Sequence, residues 1–404
     1  MATVLVLGTL GTKGTEYAFA VERLRAAGVD VTLVDVGILG DAPAAPVPDI
    51  TADQVAAEIG LDRSALAAAR DRGKAVTSMA AAASALVRRL HEGGEIQAAF
   101  ALGGTGGTSL AAEAFRELPL GVPKLIVSTA ASGETSQYVA ETDLVLTPSI
   151  VDIAGVNRIS AQVISNGVAA LVGMLAAGRP QLQDDRPLVA ASMFGVTTDC
   201  ITASRTKLDA LGYETLPFHM TGTGGRALES LVRQGVFAGV LDITTTELAD
   251  ELVGGVLCAG PIRLSQSGHP PVPRVVSVGA LDMVNFGPKV TVPAKFADRN
   301  LYVHNATVTL MRTTPAECAQ IGRTLAQRVS ALDAPIVVLL PLKGISSIAV
   351  EGGVFHDPEA DAALFGAIRQ HLASQVRLED MDTHINDPAF AERAVELLAG
   401  MTKA

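Results

Sequence analysis

The sequence of 404 residues has no tryptophan, four tyrosines and three cysteines, and only 18% of its residues are charged. Scarce aromatics and a formal net charge of −11 argue against nucleic acid, which needs stacking platforms and clustered Lys and Arg against phosphate. Cys200, Cys258 and Cys318 are odd in number and widely spaced, fitting neither a disulfide framework nor a CxxC metal site. No apolar run reaches the roughly 18 residues of a membrane span; residues 168–177 come nearest and read as a buried helix. No basic n-region or cleavage site precedes the first strand, so a cytoplasmic protein is expected, with no membrane partner.

What is present is a regular alternation. Short continuous apolar runs at 4–7, 31–36, 98–102, 124–128 and 144–146 each lead into a loop of small residues and then a helical pattern. Residues 40–50 read as an Ala/Pro loop, and a long helix is expected over 153–177. The polar, proline-flanked stretch 178–187 is the boundary. A second series follows at 188–194, 214–219, 239–243, 274–278, 302–304, 336–340 and 376–378. The expectation is an α/β protein of two Rossmann-like, doubly wound domains, 1–180 and 187–404, with mainly parallel sheets that face each other across a cleft. In such sheets ligands sit at the carboxyl ends of the strands, where every unusual loop here lies.

Two of those loops share one spelling: Gly104-Thr105-Gly106-Gly107 and Gly222-Thr223-Gly224-Gly225. A strand, a glycine-rich turn and a helix start together aim free backbone N–H groups at one spot that favours an anion. The first strand enters a related loop, Gly8-Thr9-Leu10-Gly11-Thr12-Lys13-Gly14-Thr15. It is not a Walker A motif, because Gly14 follows Lys13, and it is not GxGxxG. What remains is a flexible backbone with hydroxyls and one lysine at a helix start. Phosphate contact is therefore expected from Gly8, Thr9, Thr12 and Lys13, and from Gly103, Gly104, Thr105, Gly106, Gly107 and Thr108. Asp35, ending the second strand, is a candidate ribose acceptor or a turn cap. Ser132 and Gly133 add hydrogen bonding from the next loop. Asn157 is a further candidate for the cleft, and Asn166 for a helix contact.

The motifs GTLGTKGTE, ALGGTGGTSL, STAASGET and PSIVDIAGVN, continued by FHMTGTGGRALE, GVLDITTTEL, GALDMVNFG, HNATVTLMRT and HINDPAF, cover nearly the whole chain. Together they resemble the ATP-binding region of the tomato mosaic virus resistance protein and its uncharacterised bacterial relatives. The resemblance implies ATP in the first domain, two Rossmann-like domains and a homodimer; Mg²⁺ is expected to come in with the ATP, since it needs few protein ligands. It implies no established reaction.

In the second half, Gly224, Gly225, Arg226, Thr245, Glu247, Asn285 and His384 are candidates for a second, small acidic ligand, with Arg226 able to grip a carboxylate or phosphate. His304 and Asp282 are the candidate catalytic pair for phosphorylation or activation of that ligand. A non-catalytic, nucleotide-responsive binding protein is the alternative. Asp242, Glu247, Asp282 and a histidine lack any local metal-ligand spacing, so no protein metal site is expected. Asp387 before Pro388 reads as a helix cap.

Overall fold

The computed structural model describes residues 2–38, 46–69, 71–178 and 185–402. It divides into two units, Met1–Leu182 and Gln183–Ala404. Much of the loop expected over 40–50 and of the boundary at 178–187 lies outside the described residues.

In the first unit five strands, β1 (Thr3–Gly8), β2 (Asp30–Asp35), β3 (Ala98–Gly103), β4 (Lys124–Ser128) and β5 (Val145–Pro148), form one parallel sheet in the order β2-β1-β3-β4-β5. Side chains alternate across it. Val4, Val6, Phe100, Leu102 and Val127 pack beneath helices Leu10–Ala26 and Arg158–Ala177. Leu5, Leu7, Ala99, Ala101 and Ile126 face helices Arg72–Glu92 and Thr105–Phe115. The central strands are buried on both faces, which is why they read as unbroken apolar runs.

Helix Arg158–Ala177 is long and apolar enough to cross a membrane by length and composition alone. Here one face lies on the sheet: a Cβ on Gly167 would come within 2.8 Å of Val127 Cγ2. The helix starts at Arg158, later than the expected 153. Asn157 does not face a ligand; its side chain caps the helix by accepting from the amides of Ile159 (2.9 Å) and Ser160 (3.0 Å). Asn166 makes a helix contact, accepting from Gln162 Nε2 at 2.9 Å.

The second unit repeats the winding with one strand more. Its strands are β6 (Leu188–Met193), β7 (Glu214–His219), β8 (Gly239–Thr244), β9 (Arg274–Gly279), β10 (Met283–Phe286), β11 (Leu301–Asn305), β12 (Val308–Arg312), β13 (Ile336–Pro341) and β14 (Arg377–Met381). Six of them form a parallel sheet, β14-β13-β9-β8-β6-β7, while β10-β12-β11 form a separate antiparallel sheet. The run at 302–304, expected in the parallel sheet, is instead the edge of the small one. It hairpins onto β12 at once, and that short connection cannot carry a parallel crossover.

Candidate functional site

Strand order reverses between β1 and β3, and there the carboxyl ends of the strands diverge. Tyr17 marks the gap. Its hydroxyl lies 2.9 Å from the Leu7 carbonyl and 2.6 Å from the Leu102 carbonyl, and it accepts from the Leu102 amide at 3.0 Å. Burial pushes the Tyr17 phenol well above its ordinary pKa, so it stays a neutral strut. Its ring fills the space a Cβ on Gly8 would need, at 1.9 Å. Gly8 is therefore a packing requirement of the chain. Nothing in the sequence argument singled out Tyr17, although it is one of only four tyrosines.

Above this strut lies a cavity of about 920 Å³, within the range of small-ligand sites. Thr9, Gly11, Thr12 and Lys13 line it from the loop after β1, and Gly103, Gly104, Thr105, Gly106 and Gly107 from the loop after β3. The remaining wall is mainly apolar: Val36 and Ile38 after β2, Leu66 and Ala67 from helix Arg63–Ala68, and Ala75 and Val76 from helix Arg72–Glu92. That wall went unread in the sequence, since its residues look like ordinary helix faces.

Two of the helix N-termini at the cavity, those of Leu10–Ala26 and Thr105–Phe115, have no side-chain cap bond from the N-cap residue. In helix Thr105–Phe115 the first turn closes only where the Thr108 amide reaches the Gly104 carbonyl at 2.9 Å. The amides of Thr105, Gly106 and Gly107 thus precede any internal helical bond and present partial positive charge. In helix Leu10–Ala26, Lys13 departs from helical geometry (φ −134°, ψ 28°). Its ammonium donates to the Ile153 carbonyl at 2.5 Å. Glu16, buried, accepts from the Gly155 amide at 2.7 Å. Lys13 and Glu16 together tie the helix start to the loop after β5.

Five expected contacts are corrected, the first being Gly8, which is absent from the cavity lining. Asp35 is absent from the cavity lining and caps the turn, its Oδ1 accepting from the amides of Leu10 and Gly37, each at 3.0 Å. Thr108 points inward and pairs with the Ser128 hydroxyl at 2.6 Å. Ser132 and Gly133 are exposed and lie off the cavity wall.

The second GTGG turn has a different fate. The Glu247 carboxylate accepts from the amides of Gly222 (2.7 Å) and Gly225 (3.1 Å), and so occupies the position expected for a ligand anion. Burial and Arg263 pull the Glu247 pKa in opposite directions; burial prevails and raises it. Arg263 lies at the centre of a fully buried network. It reaches Glu247 at 2.8 Å, Asp242 at 2.5 Å and Glu229 at 3.1 Å, while Arg274 reaches Glu229 at 3.1 Å. Burial alone would lower the Arg263 pKa and raise that of Asp242. Their mutual attraction outweighs it, holding Arg263 well above and Asp242 below the ordinary values. The sequence signal was available: single charges inside apolar runs need buried partners.

The rest of the expected second-ligand set, His384 apart, is spent on structure. Arg226 donates to the Cys258 carbonyl at 3.2 Å. Thr245, buried, donates to the Ser277 carbonyl at 2.9 Å. Asn285, also buried, donates to Asp250 Oδ2 at 2.6 Å. Gly224 and Gly225 are packing positions, whose added Cβ would meet His219 O at 1.9 Å and Glu247 Oε2 at 2.0 Å. His384 is half-buried, and its carbonyl accepts from the Asp387 amide at 3.1 Å. The catalytic pair is not assembled: His304 is exposed on edge strand β11, whereas Asp282 is wholly buried and accepts from Ser346 Oγ at 2.8 Å. Asp387 caps its helix as expected, accepting from the Ala389 amide at 2.8 Å.

Two doubly wound α/β units in tandem, the first with an open glycine-rich cradle at its switch point, define a two-domain Rossmann-like protein. The chain belongs to the uncharacterised protein family UPF0261, whose N-terminal domain matches residues 2–180 and C-terminal domain residues 186–402. It is 44% identical to a UPF0261 protein of Clostridium tetani over 399 residues, 98% of each chain. It is 40% identical to the ToMV resistance protein Tm-1(GCR237) of Solanum lycopersicum over 418 residues, 97% of this chain and 55% of that one. Among solved structures, MnaA of S. aureus with UDP covers 92% of this chain and 93% of its own at 8% identity, with a TM-score of 0.24, too low to carry an argument.

Proposed function

We propose that the first unit binds a nucleoside triphosphate, ATP accompanied by Mg²⁺, between the loops that follow β1 and β3. The observation that supports this most is the contrast between the two GTGG turns. In the second, the chain itself demands glycine at Gly224 and Gly225. In the first, a Cβ on Gly104 would meet nothing nearer than Thr129 Oγ1 at 3.7 Å, and one on Gly107 nothing nearer than Leu102 O at 4.0 Å. Gly104 also has an ordinary φ of −83°. Internal packing does not account for glycine at these two positions; a ligand brought close to the backbone does. Lys13 supplies the positive charge, and the apolar wall suits a base. Among the described residues no group of three His, Cys, Asp or Glu could hold a metal. Mg²⁺ arriving on the phosphates needs few protein ligands.

The role we favour is a nucleotide-responsive binding protein, working as a cytoplasmic homodimer. Phosphorylation or activation of a small acidic metabolite is the other reading. It relied on an anion anchor that Glu247 fills and on a histidine–aspartate pair that lies apart. Calorimetric titration and thermal shift with ATP·Mg²⁺, run beside NAD, test the site. A ligand at a hundred times its Kd should stabilise by about 2.7 kcal/mol; no heat and no shift with ATP would sink the reading. ADP release above that of a Lys13→Ala variant would favour the catalytic role. Sedimentation checks the dimer.

A further inference from the structure

Among the described residues of the apolar wall of the first-unit cavity there is a single carboxylate, Asp71. Leu66 and Ala67 precede it and Ala75 and Val76 follow it, all lining the same cavity, so Asp71 belongs to the wall built by these helices and to neither glycine loop. It is the N-cap of helix Arg72–Glu92, where its Oδ1 accepts from the Lys74 amide at 3.0 Å. One oxygen satisfies the cap. A carboxylate has acceptor capacity on both.

We infer that Asp71 selects the nucleoside, its second carboxylate oxygen accepting a hydrogen bond from a hydroxyl or amino donor on the sugar or base. This rests on the nucleotide reading above and adds which residue reads the non-phosphate end. The acid at the end of β2 commonly takes this role in doubly wound folds. Here Asp35 has turned to the amides of Leu10 and Gly37 and is absent from the lining. Among the described residues lining the cavity, Asp71 alone carries a carboxylate, the group that gives a nucleoside donor a charge-assisted bond.

The substitution that isolates this role is Asp71→Asn. Asparagine caps a helix about as well as aspartate, so one oxygen still serves Lys74 while the second acceptor becomes a donor. Asp71→Ala serves as the comparison that loses both. Calorimetric titrations of the full chain would use ATP, 2′-deoxy-ATP, inosine triphosphate and inorganic tripolyphosphate, each with Mg²⁺. For ATP, Asp71→Asn should weaken binding about tenfold, the size of one charge-assisted hydrogen bond, with the melting temperature unchanged. For tripolyphosphate the variant and the parent should agree. A penalty that vanishes with 2′-deoxy-ATP assigns the donor to the sugar, and one that vanishes with inosine triphosphate assigns it to the base amine. The inference is overturned if Asp71→Asn binds ATP within twofold of the parent, or if it loses ATP and tripolyphosphate equally. A parent protein that binds tripolyphosphate but discriminates no nucleoside overturns it too and leaves the phosphate site standing. A parent that binds neither takes down both readings.

Discussion

Glu247 and Gly225 form a contact that no external ligand can share: the carboxylate accepts the glycine amide at 3.1 Å, and a methyl on that glycine would lie 2.0 Å from Oε2. The second unit has supplied its own anion to its own glycine turn. The first has not, and the two turns should therefore respond differently to the same substitution. Gly225→Ala should destabilise the second unit by several kcal/mol, as overpacking against a buried charge does. Gly107→Ala should leave stability unchanged or improve it by up to about 1 kcal/mol, the helix preference for alanine, while weakening ATP at least tenfold. Urea melts paired with calorimetric titrations check both halves of this contrast.

Binding stoichiometry follows from the same asymmetry. One nucleotide per chain is expected, and Lys13→Ala should lower its affinity without changing the number of sites. A second site of similar affinity, seen by equilibrium dialysis, would contradict the assignment of Glu247 as the resident anion.

Much of this was legible in the sequence, for a physical reason. Strands buried on both faces betray themselves as apolar runs, and the loops at their carboxyl ends as small-residue stretches. Hence β1, β3, β4, β6, β8 and β9 and both GTGG turns could be placed from residue order alone. What fills a turn could not. Glu247 lies more than twenty residues beyond Gly222, and Arg263 further still, so only the folded chain brings them together. The antiparallel sheet was missed because β10 follows β9 almost directly and two strands read as one strand and a loop. Asp35 stayed open between two roles because ribose acceptor and turn cap have the same sequence signature.

Removing the hub of the buried network should be costly. Arg263→Met leaves Glu229 and Asp242 with Arg274 as their guanidinium partner and takes from Glu247 its ion pair with Arg263. Breaking a buried ion pair in this one-sided way costs about 3–5 kcal/mol. Hydrogen exchange at the amides of β8 and β9 should report the loss, with the first unit unaffected.

The second unit should also be more stable in mild acid than at neutrality. Burial raises the Asp250 carboxyl to about 7 and the Asp282 carboxyl to about 6, the latter only partly offset by Arg312. In the unfolded chain both ionise near 4. Between about pH 4 and those values the folded form holds more protons, so stability falls as pH rises through that window. The lowered Asp242 titrates below it and does not reverse the trend. Asp282→Asn, which can still accept from Ser346, should remove one proton's share of the slope, about 1.4 kcal/mol per pH unit, between roughly pH 4 and 6. Urea midpoints at pH 5 and 7.5 provide the comparison.

Lys13 lines the cavity, and its ammonium holds the Ile153 carbonyl. A phosphate that draws this ammonium toward itself competes with the loop it anchors, so part of the binding free energy would be spent on releasing residues 149–157. That loop bears Ile150, exposed and at a φ of +66°, a conformation a β-branched residue seldom holds without restraint. Occupancy of the cavity would thereby be coupled to the tension on a surface segment. In a chain without tryptophan, a single indole introduced at position 150 would make that tension visible as light.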